Sequence, residues 1–114
     1  MNESTRHLPI YKKAEEIYQA LKTITDLFPE DNDYLQHIKS NLVGDSMIIL
    51  AKISGAEAVK LYDIKMENAA IIRKAARDIM VGGNTLEMFD FEDAKYYRII
   101  RNLIEEFRII FADW

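Results

Sequence analysis

Apolar positions recur at helical spacing in four stretches of the chain. Ile10, Ala14, Ile17, Leu21, Ile24 and Phe28 follow one another at intervals of four and three, which is one stripe of an α-helix and equally a heptad seam. Tyr11, Tyr18 and Leu27 widen that stripe into a face. Pro9 suits a first helical turn, where its missing N–H costs nothing, and Pro29 pushes Phe28 out of helical geometry, so the pattern predicts a first helix over 9–28. Pro29-Glu30-Asp31-Asn32-Asp33 has the composition of a turn, with Asp31 or Asp33 as the expected cap of a second helix over 33–54. Its inward set is Leu35, Ile38, Leu42, Ile49 and Ile53, broadened by Val43, Met47, Ile48 and Leu50. Gly44-Asp45-Ser46 interrupts this surface, and a mid-helix Gly costs about 1 kcal/mol relative to Ala, which predicts a kink or a close backbone approach.

Ser54-Gly55 is the next expected break, followed by a third helix over 57–81 with Leu61, Ile64, Ile71, Ile72, Ala75, Ala76 and Ile79 on its apolar side. Ala69-Ala70 and Ala75-Ala76 imply a closely packed partner helix. Gly82-Gly83 reads as a stop, because Gly takes the left-handed conformation without steric cost. Asn84 to Asp90 then forms a connector whose Leu86, Met88 and Phe89 cover one end of the molecule. Asp90 caps a fourth helix over 91–113, with Glu92 and Asp93 complementing the dipole of its first turn. Tyr97, Ile100, Ile104, Phe107, Phe111 and Trp114 form its heptad stripe. A second row, Tyr96, Ile99, Leu103 and Ile110, makes this helix wider in apolar surface than one core seam requires, so the row is a candidate oligomer interface. Four helices with short connections predict an all-α fold in one domain over 1–114, an antiparallel up-down-up-down four-helix bundle.

Charge narrows the function classes. Fifteen Lys and Arg against nineteen Asp and Glu give a net charge of -4, so no overall basic field draws the chain to polyanions, and any such contact must be local. Residues 1–41 hold five basic and seven acidic side chains, 42–83 six and five, and 84–114 four and seven, so only the middle stretch is not acidic. With no cysteine, disulfides, thiolate nucleophiles and Cys-ligated metals are excluded. No apolar run approaches the ~20 residues of a membrane span, and the first residues lack a signal-like apolar core, so a cytoplasmic, membrane-free protein is expected.

Candidate chemistry is sparse. A di-iron bundle site needs Glu-x-x-His pairs, but Ser4 and Tyr34 stand three residues before His7 and His37, the two histidines. His37 reads as a solvated side chain rather than a haem or zinc ligand. Ser4, Ser40, Ser46 and Ser54 sit in no nucleophile motif. Glu15-Glu16 and Glu105-Glu106 are sequence neighbours pointing about 100° apart on a helix, which does not make an acid/base pair. Gly82-Gly83-Asn84 ends a helix, whereas phosphate-binding loops open one. Asp45, beside Gly44 and a broad apolar surface, is the carboxylate most open to a role. No enzyme, metal, cofactor or small-molecule substrate is expected.

Basic residues cluster at Arg73, Lys74 and Arg77, and at Lys95, Arg98, Arg101 and Arg108 with Tyr96 and Tyr97 interleaved. These are the candidate contacts for nucleic acid or a partner, against the plainer alternative of a solvated face tied by pairs such as Arg101 and Glu105. One protomer offers few phosphate contacts; an oligomer repeating the patch multiplies them.

Leu8-Pro9-Ile10-Tyr11, the Phe28-Pro29 closing the first helix, four helices in about 110 residues and the aromatic end at Trp114 resemble a known four-helix-bundle superfamily over nearly the whole chain. Its branches are the accessory variability determinant proteins of diversity-generating retroelements and the proteins encoded in intervening sequences of large-subunit ribosomal RNA genes. The second branch carries a Ser-Ile-x-x-Asn-Ile-x-Glu-Gly-like block where this chain reads Met47-Ile48-Ile49-Leu50-Ala51-Lys52-Ile53-Ser54-Gly55, so the chain sits closer to the first. The resemblance implies a bacterial or phage, non-enzymatic homo-oligomer, a pentameric barrel in the retroelement branch, that partners a reverse transcriptase and contacts RNA or DNA through basic surface. The alternative is an interaction bundle of the intervening-sequence type with no nucleic-acid role, docking an amphipathic helix on the Tyr96, Ile99, Leu103 and Ile110 row.

Overall fold

The computed structural model describes the backbone of residues 3–58, 62–88 and 97–114, and the side chains of 5–58, 63–84 and 97–114. These residues form α1 (Glu3–Arg6), α2 (Pro9–Thr25), α3 (Asp33–Ala58), α4 (Tyr62–Met88) and α5 (Tyr97–Asp113), with no strand among the described residues. The one-turn α1 has no counterpart in the sequence pattern.

Local chemistry sets the helix ends. Pro9 opens α2 after an extended Leu8. The helix closes at Thr25, three residues before the expected Phe28, because the chain approaching Pro29 tightens into shorter-range bonds: the Leu27 and Phe28 N–H groups donate to the Ile24 and Thr25 carbonyls at 3.1 and 3.0 Å. Phe28 still packs into the core, while Leu27 turns outward. Asn32, rather than Asp31 or Asp33, caps α3, its Oδ1 accepting the Leu35 N–H at 3.0 Å. Asn32 stands three residues before that donor, the N-cap spacing, and Asp33 in the first turn complements the dipole.

The glycines break neither long helix. α3 runs through Gly44, where an added Cβ would meet nothing within 4 Å, and through Ser54-Gly55 to Ala58. Gly55 is instead a contact point with α4, since a Cβ there would lie 3.1 Å from the Asn68 amide. α4 continues past the expected stop at Gly82-Gly83, so Asn84 to Met88 are helical rather than a connector. Tyr97 explains this pair: a Cβ on Gly83 would lie 2.4 Å from its ring, and one on Gly82 would lie 2.5 Å from Leu42. The two glycines let α3 and α5 side chains press on the α4 backbone. Leu61, Phe89, Asp90, Glu92 and Asp93 lie outside the described residues, as do the side chains of Leu86 and Met88.

α3 packs most extensively on α4, α2 packs on both α3 and α5, and α4 packs on α5. The long helices therefore contact one another in ring order, and a cross-section of 23 × 23 Å is two helix diameters each way. Ile17, Leu21, Ile49, Ile53, Ile72, Ile79, Ile100 and Ile104 fill the centre, fully buried. Each such side chain contributes about 1.5–3 kcal/mol relative to exposure. Tyr97, also fully buried, donates its hydroxyl proton to the Ile79 carbonyl, and burial pushes the phenol's pKa upward. Ile64 and Ile71, expected inside, are exposed at 37% and 40%.

Candidate functional site

The groove between α4 and α5 gathers three of the seven basic residues singled out from the sequence. Arg73, Arg77 and Arg108 line a cavity of 340 Å³ with Ala76, Phe107 and Phe111. The arrangement follows from helical spacing. Arg73 and Arg77 are four apart on α4, beside the buried Ile72 and Ala76 but turned toward α5, and Arg108 follows the buried Phe107 on the flank facing α4. Arg73 sits 5.7 Å from the Phe111 ring centroid, a cation–π contact that holds the guanidinium over the groove. Arg108 pairs with Glu105 at 3.0 Å, an exposed pair of small energetic worth. No carboxylate pairs with Arg73 or Arg77 among the described residues.

The groove continues toward the end of the molecule. A second cavity, of 350 Å³, shares Arg73 and Phe111 with the first and adds Lys65, Met66 and Trp114. Lys65 lies 5.1 Å from the Trp114 ring centroid, and the Trp114 indole N–H donates to Glu57. Phe107, Phe111 and Trp114 stack in sequence with 6.0 Å between successive centroids. Four cations thus line a channel from Lys65 to Arg77, about 18 Å at 1.5 Å per residue, two of them, Lys65 and Arg73, lying over aromatic faces. Such a surface can bind a polyanion by phosphate contact and by stacking.

The other four basic candidates lie elsewhere. Lys74 points away from α5 and pairs with Asp78 at 3.0 Å. Arg101 is on the correct flank of α5 but donates to the Asn84 side chain at 2.8 Å. Arg98 is exposed, and Lys95 lies outside the described residues. Sequence reasoning missed Lys65, although Lys65, Ala69, Arg73 and Arg77 stand four apart and define one α4 stripe.

The candidate interface row divides. Leu103 and Ile110 are partly buried against the core, Leu103 in a groove with Lys12, Glu15, Glu16 and Gln19 of α2 and Ile110 beside Leu8, Pro9 and Ile10. The α2–α5 seam absorbs much of the surplus apolar width. Ile99 remains 53% exposed, Tyr96 lies outside the described residues, and the most exposed large apolar side chain described on α5 is Ile109, at 71%. Glu16 of the Glu15-Glu16 pair meets Glu106 of the Glu105-Glu106 pair at one cation: Lys13 reaches the two carboxylates at 3.1 and 2.6 Å, and their hydrogen bonds, that of Glu106 foremost, raise its ammonium pKa.

On the other side of α4 an acidic groove holds Asp45 and Asp78. Burial, then the charge of Asp78, pushes the Asp45 carboxyl above its ordinary 3.8, partly offset by Lys74. His7 and His37 are exposed. Among the described residues no three His, Asp or Glu side chains are grouped to hold a metal, and no helix is long and apolar enough to cross a membrane. Compared with known proteins, the chain matches no protein-family model, no curated protein and no solved structure.

Proposed function

We propose that this chain is a non-enzymatic, homo-oligomeric accessory protein that works in the bacterial cytoplasm and contacts nucleic acid through the α4–α5 groove. The observation carrying this is the convergence of Arg73, Arg77 and Arg108 on one aromatic-floored channel in a chain of net charge -4. The family likeness adds a reverse transcriptase as protein partner and a pentamer as assembly. It also implies an up-down-up-down course for α2 to α5. Four contacts support that course: Lys13 to Glu106 at 2.6 Å, Lys39 to Asp26 at 2.9 Å, Asn68 to the Lys52 carbonyl at 3.4 Å and Arg101 to Asn84 at 2.8 Å. Three of them join the first turns of one helix to the last turns or C-cap of its neighbour, and Lys13 near the start of α2 meets Glu106 just past the middle of α5.

Fluorescence anisotropy of a labelled single-stranded RNA against salt tests the nucleic-acid claim. Three phosphate contacts per protomer give a log–log slope of about -2, so affinity falls about 20-fold between ~50 and ~200 mM salt. Arg73→Glu, Arg77→Glu and Arg108→Glu together abolish that slope. Salt-independent binding, or unchanged binding by the triple variant, overturns the proposal. A 13.3 kDa monomer by light scattering at micromolar concentration overturns the oligomer. The exposed Ile99 and Ile109 favour a second reading, a protein-interaction bundle of the intervening-sequence type, whose apolar docking salt barely affects.

A further inference from the structure

The acidic groove between α3 and α4 plays no part in nucleic-acid contact, since its carboxylates repel phosphate. It encloses 490 Å³, with Asp45 and Asp78 as its charged groups and Ile38, Ile48 and Val81 among its apolar ones. Ile48 is 41% exposed and Val81 52%. Asp78 already has a cation, Lys74 at 3.0 Å. Asp45 forms no ion pair among the described residues and feels Lys74 only as a more distant charge, although it is only partly exposed and lines the same cavity as a second carboxylate. Gly44 beside it leaves open space where a side chain would stand. A half-desolvated carboxylate next to another negative charge gains more from an incoming cation than a fully solvated one does. The adjoining apolar surface gains only from an apolar partner, which a hydrated metal ion or a polyamine is not.

We propose that the α3–α4 groove docks a basic amphipathic helix of a partner protein, its apolar side chains covering Ile48 and Val81 and an Arg or Lys reaching Asp45 and Asp78. A furrow between two packed helices suits the helix-in-groove mode of recognition, with apolar anchors for affinity and flanking charge for selectivity. Nucleic acid and this helix then occupy opposite flanks of α4, so one subunit holds both at once.

The test titrates the full chain against two fluorescein-labelled synthetic helices of about 18 residues, long enough to hold helical structure when docked. One carries Leu at i, i+3, i+4 and i+7 flanked by Arg, and the other has Glu in place of every Arg. The Arg helix is expected to bind at least about tenfold more tightly than the Glu helix, and Asp45→Asn with Asp78→Asn to remove that preference. Val81→Arg, at an exposed site that leaves the fold intact by melting temperature, also lowers affinity about tenfold. Arg73→Glu with Arg77→Glu leaves helix binding unchanged, which separates failure here from failure of nucleic-acid binding. Equal affinity for the two helices, or unchanged affinity in the Asp and Val81 variants, overturns the proposal. So does protection of Ile48 and Val81 that rises with protein concentration alone, which assigns the groove to a second copy, or displacement of the helix by millimolar Mg²⁺, which assigns it to a cation.

Discussion

Alanine substitution of three helical glycines separates intrinsic helix propensity from close packing. Gly→Ala inside a helix gains about 1 kcal/mol. At Gly44 nothing stands within 4 Å of the new Cβ, so Gly44→Ala should realise the whole gain and raise the melting temperature by about 4 °C for a chain of this size. At Gly83 the Cβ would lie 2.4 Å from Tyr97 Cδ1 and 2.7 Å from Cε1, and ordinary contact requires the ring to retreat by about 1 Å. Tyr97 is 1% exposed and its hydroxyl is anchored on the Ile79 carbonyl, so the ring has nowhere to go. Overpacking costs about 3 kcal/mol in such a place, leaving Gly83→Ala about 2 kcal/mol less stable than wild type and about 8 °C lower in melting temperature. Gly82 falls between: its Cβ meets Leu42 Cδ2 at 2.5 Å, the far end of a side chain that can rotate, so cost and gain nearly cancel. Urea and thermal melts followed by circular dichroism at 222 nm measure all three. If Gly83→Ala melts higher than wild type, as Gly44→Ala should, the contact of α5 with the α4 backbone is wrong.

Two further predictions concern single polar groups. Asn32→Ala removes the side-chain acceptor of the Leu35 N–H and should lower stability by about 1 kcal/mol, read from the urea midpoint; an unchanged midpoint would show that solvent caps α3 equally well. Asp45 has a folded-state pKa raised above the ordinary 3.8, so the folded state holds its proton more tightly and stability drains away as pH climbs from 3.8 through the raised value. Asp45→Asn escapes that loss: its melting temperature should exceed that of wild type at pH 7 and match it near pH 3, and an equal difference at both would exclude the carboxylate as the cause.

Much of the core was legible because apolar residues spaced three and four apart mark the inward side of three helices, even where further apolar residues widen the surface beside them. All five stripe residues of α2 from Ile10 to Ile24 and Phe28 just past its end are buried, as are the five expected on α3 and Tyr97, Ile100, Ile104 and Phe107 on α5. α4 was harder, since Ile64 and Ile71 belong to its apolar pattern yet are exposed, and only the positions of the neighbouring helices decide which flank is covered. Gly82-Gly83 misled for a related reason: a glycine pair signals a left-handed stop locally, but here Tyr97 and Leu42, distant in sequence, occupy the space that side chains would fill. The basic groove was half visible. Periodicity places Arg73 and Arg77 on one α4 flank and Lys74 about 100° away, but which α5 residues face them depends on the pairing of α4 with α5. Lys65, two turns of helix before Arg73 on the same stripe, joins the groove once Trp114 packs beneath it.

The Lys13–Glu106 bridge joins residues 93 positions apart, and that separation bears on how the chain assembles. Closing a loop of that length costs about 4 kcal/mol of chain entropy on a logarithmic law, against far less for α3 and α4, which succeed one another directly. The bridge itself, its carboxylates exposed, returns little of this. The α3–α4 hairpin therefore has the entropic advantage in forming first, with the broadest contact in the molecule as its reward. The α2–α5 seam is the costliest to close, and what offsets that cost is the burial of Ile10, Ala14 and Ile17 on one side and Ile100, Ile104 and Phe107 on the other. Its closure completes the circuit of helices and is the step on which the entropy of the whole chain weighs most.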